Sequence, residues 1–290
     1  MQVYTEKNMK TKTLLKKLGF SPTDKVVIFH ADDIGMCEAS VSAYAELLDF
    51  GIMSSASTMV PCSWFPATAK VCRENAEKVD MGVHLTLTSE WELYRWSPIT
   101  TNDPKSGLVD EDGYFSRTEF SVQEKSTNEI VYKELKAQIE RAISAGINIT
   151  HLDTHMFAIF PTFTEVYLRL ADEYKVPVFA LQPDTKMDFP PALTEMQAEK
   201  YPLLNAWCVM SYENETYRFE QAKALLDNLE AGMTYFLLHP SKDSPELRAI
   251  AQDWRARVAD YQLFSDEKFR NYIKESGIQV VGWHDIKAIL

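Results

Sequence analysis

Strand-like and helix-like segments alternate along almost the whole chain, and that order leaves few folds open. Residues 25–30 are an apolar, β-branched run; residues 37–50 show helical spacing through Val41, Tyr44, Leu47 and Leu48, with Gly51 placed to stop them. Strands are expected at 52–60 and 79–87 around a helix at 63–74. An amphipathic helix at 128–145 feeds a strand at 148–152, and a helix at 162–174 feeds one at 176–181. Residues 184–201 read as loop with a short helix, 206–210 as a weaker strand, 217–230 as a helix and 234–238 as a strand. Residues 247–275 read as one or two helices broken near Ser265, and 278–281 as the last strand before a short terminal helix. Repeated strand-then-helix units imply a parallel sheet with right-handed crossovers. The expectation is a single α/β domain over 1–290, a distorted TIM-like (β/α) barrel, with an open doubly wound sheet as the alternative.

Such folds gather residues from the C-terminal ends of their strands on one rim. Four strand-like runs carry metal-ligand or acid/base side chains there: Phe29-His30-Ala31-Asp32-Asp33, Gly82-Val83-His84-Leu85-Thr86, His151-Leu152-Asp153-Thr154-His155 and Leu237-Leu238-His239-Pro240. Asp32 and Asp33 repel each other, so burying them together is costly unless a cation or proton relieves the charge. An N-cap pair in a loop is the plainer explanation. His84 shares a strand face with Thr86 and Thr88; alone it reads as a hydrogen-bonded core residue. His151, Asp153 and His155 follow period two, so in an extended segment they share one face and form a donor set suited to a catalytic metal. His239, stopped by Pro240, is placed to act as an acid or to cap the sheet edge. His30 and His284 read as structural.

Composition excludes more than it assigns. With 30 Lys+Arg against 42 Asp+Glu, the net charge of −12 opposes a general nucleic-acid or anionic-membrane surface. Cys37, Cys62, Cys72 and Cys208 form no CxxC pair, so reduced thiols are expected rather than a disulfide or structural zinc framework. No signal-like N-terminal segment and no run of about 20 apolar residues is present, so a soluble, cytoplasmic protein is expected, with a homo-oligomer left open. Residues 89–126 break the regular pattern with Pro98, Asn102-Asp103-Pro104 and Asp112-Gly113, yet hold Trp91, Tyr94, Trp96, Tyr114 and Phe115. A long aromatic loop after the His84 strand reads as a lid that selects substrate and takes no part in metal ligation. Its aromatics, with Trp64, would face the substrate, or else form a small satellite core.

Taken together, Ala31-Asp32-Asp33-Ile34-Gly35, residues 51–60, Gly82-Val83-His84-Leu85-Thr86-Leu87-Thr88, Thr150-His151-Leu152-Asp153-Thr154-His155 and His239-Pro240 resemble the YdjC-like family of carbohydrate deacetylases, in the family's order. The resemblance implies a distorted TIM-like barrel and divalent-metal-dependent removal of N-acetyl groups from an amino sugar or oligosaccharide, releasing acetate. It implies Asp33, His84 and His155 as ligands of one divalent ion, zinc first and magnesium second. It makes Asp32 the base and His239 the acid or transition-state stabiliser, with Arg95, Trp64 and Trp91 on the substrate and Arg95 pairing with an acidic group. Two departures stand out: Phe157 where the family often has another histidine, and Ser241 where it commonly has glycine. The rival readings are a non-haem iron oxygenase with the same two-histidine, one-carboxylate set, and a carbohydrate-binding barrel without catalysis.

Overall fold

The computed structural model describes residues 14–182 and 201–290. The loop and short helix expected at 184–201 therefore lie, apart from Tyr201, outside the described residues. Among the described residues seven parallel strands form one sheet: β1 (Lys25–Ile34), β2 (Ser55–Thr58), β3 (Met81–Leu85), β4 (Ile149–Thr154), β5 (Ala206–Val209), β6 (Gly232–Leu238) and β7 (Gln279–Val280). The spatial order is β4-β3-β2-β1-β6-β5, and β7 pairs with β1. One edge of β1 is shared, because Val26 and Val27 pair with β7 while His30 to Ile34 pair with β2.

Among the described residues these ladders do not close into the expected distorted barrel. Residues 176–181, expected as a strand, make only isolated bridges, Leu152 to Val178 on β4 and Leu181 to Leu204 just before β5. Pro177 has no N–H to donate there, which limits pairing to its carbonyl and the flanking residues. The result is a single α/β unit around a parallel sheet whose two edge strands are linked loosely through this segment.

The helices fall close to expectation. They include α1 (Glu38–Phe50), α2 (Phe65–Glu74), α3 (Glu119–Lys125), α4 (Asn128–Ser144), α5 (Thr164–Tyr174) and α6 (Arg218–Asp227). The expected 247–275 segment is three helices, α7 (Pro245–Ile250), α8 (Trp254–Phe264) and α9 (Glu267–Glu275), followed by α10 (Trp283–Lys287). The break near Ser265 is present; a second break follows Ala251, beyond Ile250.

Both faces of β1 are buried, which is why it reads as a continuous apolar run rather than an alternating one. Val27, Phe29 and Ala31 belong to the large core, where Phe29 meets Phe236, Phe264 and Phe269 edge-on. Val26 and Ile28 belong to a smaller core with Met233, Tyr235, Leu237 and Trp283. The strand period places His30 and Asp32 on the face of Val26 and Ile28. Residues 89–126 contain helix α3 and an antiparallel bridge from Val109 to Phe115. Their Trp96, Leu108, Phe115 and Val122 are buried within the large core, so much of this aromatic content is packing. No helix among the described residues is long and apolar enough to cross a membrane. All four cysteines are free thiols.

Candidate metal centre and active site

The two neighbouring aspartates reach one rim through a local distortion. In a regular strand, consecutive side chains point to opposite faces. Strand β1 instead continues through Asp32 and Asp33 to Ile34, and its register against β2 slips by one residue between Ala31 and Ile34. Asp33 takes a left-handed φ of 62° there. A bulge of this kind re-aims side chains, and Asp tolerates the left-handed region better than most residues.

His84 arrives from β3, next to the edge strand β4, and is paired in register with Asp153 there. Its Nδ1 lies 2.9 Å from Asp153 Oδ1, and its Nε2 lies 3.4 Å from Asp33 Oδ1 and 3.7 Å from Asp32 Oδ2. His155 does not continue β4. The chain turns after Thr154 into a single 3-10 turn, with Met156 at a φ of 51°. His155 Nδ1 then lies 3.1 Å from Asp33 Oδ1, and Nε2 lies 3.0 Å from Glu90 Oε2. The expectation that His151, Asp153 and His155 share one face is corrected by this turn. His151 stays behind in the smaller core, stacked on Trp283 with ring centroids 5.0 Å apart. Gly82 leaves room for it, since a Cβ at residue 82 would come within 2.5 Å of the His151 ring.

Asp33, His84 and His155 thus bring one ligand atom each within 4.8 Å of one another, all buried. A mixed nitrogen and oxygen donor set, each imidazole holding a carboxylate on its other nitrogen, fits a divalent cation. Two further groupings meet the same distance criterion, His30–His151–Asp153 and Asp32–His84–Asp153. Both share Asp153, which is already committed to His84 and His30.

Asp32 is the more accessible carboxylate, its side chain 12% exposed against 3% for Asp33. His30 Nε2 lies 3.1 Å from Asp32 Oδ1 and 3.0 Å from Asp153 Oδ2, and the Tyr235 hydroxyl reaches both carboxylates at 3.5 and 3.2 Å. His30, read from the sequence as structural, therefore holds Asp32 in place. A cleft beside Asp32 is walled by Asp153, Phe157, Phe179, Trp207 and Tyr235. Phe157, the departure noted in the sequence, is one of its aromatic walls.

Leu238 pairs with Ala31, so His239 emerges at the strand end next to Asp32. Its Nδ1 lies 3.3 Å from the Tyr212 hydroxyl, and its backbone N–H donates to Asp260 Oδ2 at 2.9 Å. Arg257, which sequence reasoning missed, donates to Asp33 Oδ2 at 2.8 Å and to Asp253 at 2.9 Å. Burial raises the Asp33 carboxyl, but the charge of Arg257 and the hydrogen bond from His155 outweigh it and hold it well below the usual range. Glu90 was missed too. Neither residue lies in a motif; only their place in the tertiary structure marks them.

The substrate-facing expectations divide. Trp64 stands 37% exposed at the start of α2. Trp91 is half-buried, with the Arg257 guanidinium 5.4 Å from its ring centre. The Arg95 guanidinium is engaged inside the loop, donating to Asp110 Oδ2 at 2.6 Å and to the Phe115 carbonyl at 2.7 Å. It fastens the segment on itself, with its side chain 6% exposed.

The histidine pKa shifts give a test of ion binding. Burial lowers His155, but Glu90 and Asp33 outweigh it and lift its pKa to about 9. Burial also opposes the charged form of His84, yet Asp32 and Asp153 raise it well above the usual imidazole value. Both rings are then protonated at pH 7 when only the protein's own groups act on them, and an ion must displace those protons. Adding a divalent ion at pH 7 in weak buffer is expected to release on the order of one to two protons. The release from His155 should shrink as pH rises through about 9, with apparent affinity rising over the same range. The raised pKa also means that His155 stabilises the ion-free fold fully below 6.5, a contribution lost as pH climbs through 9. Ion uptake at pH 7 with no proton release would contradict this assignment.

Comparison with known proteins agrees with the motif order. The family model of YdjC-like proteins matches residues 26–275, and the chain belongs to that family. It is 33% identical over 288 residues to a carbohydrate deacetylase of Thermus thermophilus, covering 96% of this chain and 99% of the relative. A carbohydrate deacetylase of Thermoanaerobacter pseudethanolicus is 24% identical, covering 91% of this chain and 100% of the relative. Among solved structures, one from Enterococcus faecalis, provisionally assigned to cellobiose-phosphate cleavage, superposes with a TM-score of 0.74 at 22% identity. It covers 91% of this chain and 99% of that one, and supports the fold alone.

Proposed function

We propose that this chain is a metal-dependent carbohydrate deacetylase that hydrolyses the N-acetyl amide of an amino sugar or oligosaccharide. The observation that carries the reading is the convergence of Asp33, His84 and His155 beside a second, more accessible carboxylate, Asp32. Asp33, His84 and His155 would hold one divalent ion, zinc first and magnesium as the alternative. When bound, such an ion acts as a Lewis acid on the amide carbonyl and lowers the pKa of water.

The protein's own groups then divide the work. Asp32, oriented by His30 and Tyr235, takes a proton from the attacking water. The water oxygen adds to the acyl carbon, the C–N bond breaks, and acetate and a free amine result. Burial lowers the His239 pKa, with Asp33 opposing, so His239 is neutral at pH 7. A neutral imidazole beside Asp32 serves as a hydrogen-bond donor to the charge developing on the amide. The amine's proton is the one Asp32 removed from water, and Asp32 returns it. Phe157 and Trp207, the half-buried aromatics beside Asp32, would offer apolar surface to a sugar ring, while Phe179 and Tyr235 are buried behind them. Arg95 is retained as a fastener of the 89–126 segment rather than as a recognition group, since its Nε and Nη2 are already engaged inside that segment.

The test is release of acetate from acetylated amino sugars by the metal-loaded protein, measured without oxygen. Stoichiometric acetate with a free amine is expected. Turnover that requires dioxygen and a 2-oxoacid would instead make the site an oxygenase, and sugar binding without acetate in fully loaded protein would make it a binding module.

A further inference from the structure

We infer that Glu90 is a positioning residue for His155, so that the root of the 89–126 segment takes part in setting the affinity of the metal centre. The inference rests on the metal-dependent reading above. His84 and His155 are built alike. Each turns one ring nitrogen towards Asp33 Oδ1, at 3.4 and 3.1 Å, and the other onto a carboxylate outside the ligand set, Asp153 at 2.9 Å or Glu90 at 3.0 Å. A carboxylate on the far nitrogen fixes the tautomer and ring orientation of a metal-binding histidine and raises its basicity.

The two supports come from different places. Asp153 is part of β4 and is paired in register with His84. Glu90 lies beyond the end of β3, where the irregular segment begins. Its backbone is stitched to the far side of that segment: Ser89 N–H donates to the Ser116 carbonyl at 3.0 Å, and Arg117 donates to the Trp91 carbonyl at 2.9 Å. The adjacent Trp91 carries Arg257 over its ring, and Arg257 holds Asp33. Two consecutive residues at the segment's root therefore reach two of the three ligands, one directly and one through a guanidinium. The expectation that this segment stands apart from ligation is revised accordingly.

The experiment is a competitive Zn2+ titration of chelator-stripped protein, comparing wild type, Glu90→Gln, Glu90→Ala and the exposed neighbour variant Glu92→Gln. Glu90→Ala is expected to weaken Zn2+ binding about 10- to 100-fold, Glu90→Gln less, because it keeps an acceptor without the charge. Glu92→Gln should match wild type. Melting of the stripped proteins reports folding separately, and the isosteric Glu90→Gln decides if the alanine variant fails to fold. Wild-type Zn2+ affinity in the Glu90 variants overturns the inference while leaving the metal reading intact. A loss beyond about 1,000-fold would make Glu90 a ligand itself and overturn the positioning role. Wild type that binds no Zn2+ removes the metal reading instead.

Discussion

His84→Ala and His155→Ala are each expected to lose most bound metal and nearly all deacetylase activity. A three-ligand site that loses one ligand keeps too few anchors for tight binding. The two histidines would share one ion, so the double variant should be little worse than either single one, a strong departure from additivity. Removing either ring also takes a compensating charge from buried carboxylates, Asp32 and Asp153 beside His84, Asp33 and Glu90 beside His155, so both variants should be less stable than wild type. His84→Asn serves as the companion variant, because it restores an amide where the imidazole faced Asp153. The measurements are metal content after dialysis and the rise in Tm on adding ion, which should vanish with the ligand. Wild-type metal content in both alanine variants would remove them from the ligand set.

The second large effect separates the adjacent carboxylates. Asp32→Asn should keep its metal and lose roughly 10²–10⁴ in kcat, the cost of removing a general base. Asp33→Asn should instead weaken metal binding. It also removes one of the two carboxylates on the buried Arg257 guanidinium, so some stability is lost, less than the ~3–5 kcal/mol of a wholly unpaired buried charge because Asp253 remains. Metal analysis and urea melts of the two variants together give the assignment. Metal loss in Asp32→Asn with metal retained in Asp33→Asn would reverse the roles.

Much of this is legible in the sequence. Alternating segments, each strand followed by helical material, imply a parallel sheet, and that sheet places Asp32, Asp33, His84 and His239 at the ends of their strands. Strand and helix periods are short-range properties, and β1 shows its two-sided burial directly as an unbroken apolar run. The motif order was sufficient to point to the YdjC-like family.

Other features depend on contacts between distant segments. Period two assigned His151 and His155 to one face, but the turn after Thr154 sends His155 to Asp33 and leaves His151 against Trp283. The same rule would set Asp32 and Asp33 on opposite faces; a one-residue register slip and a left-handed Asp33 place both on the rim. Residues 176–181, expected as a strand, hold a proline and isolated bridges in place of a ladder. Arg257 reaches Asp33 across 224 positions, and Glu90 reaches His155 across 65. A local pattern specifies which way a side chain points only while the backbone stays regular, and it carries no information about which distant charge will meet it. The sequence by itself determined the element order and the residue types at the strand ends, whereas bulges, turns and packing decided which of those residues meet.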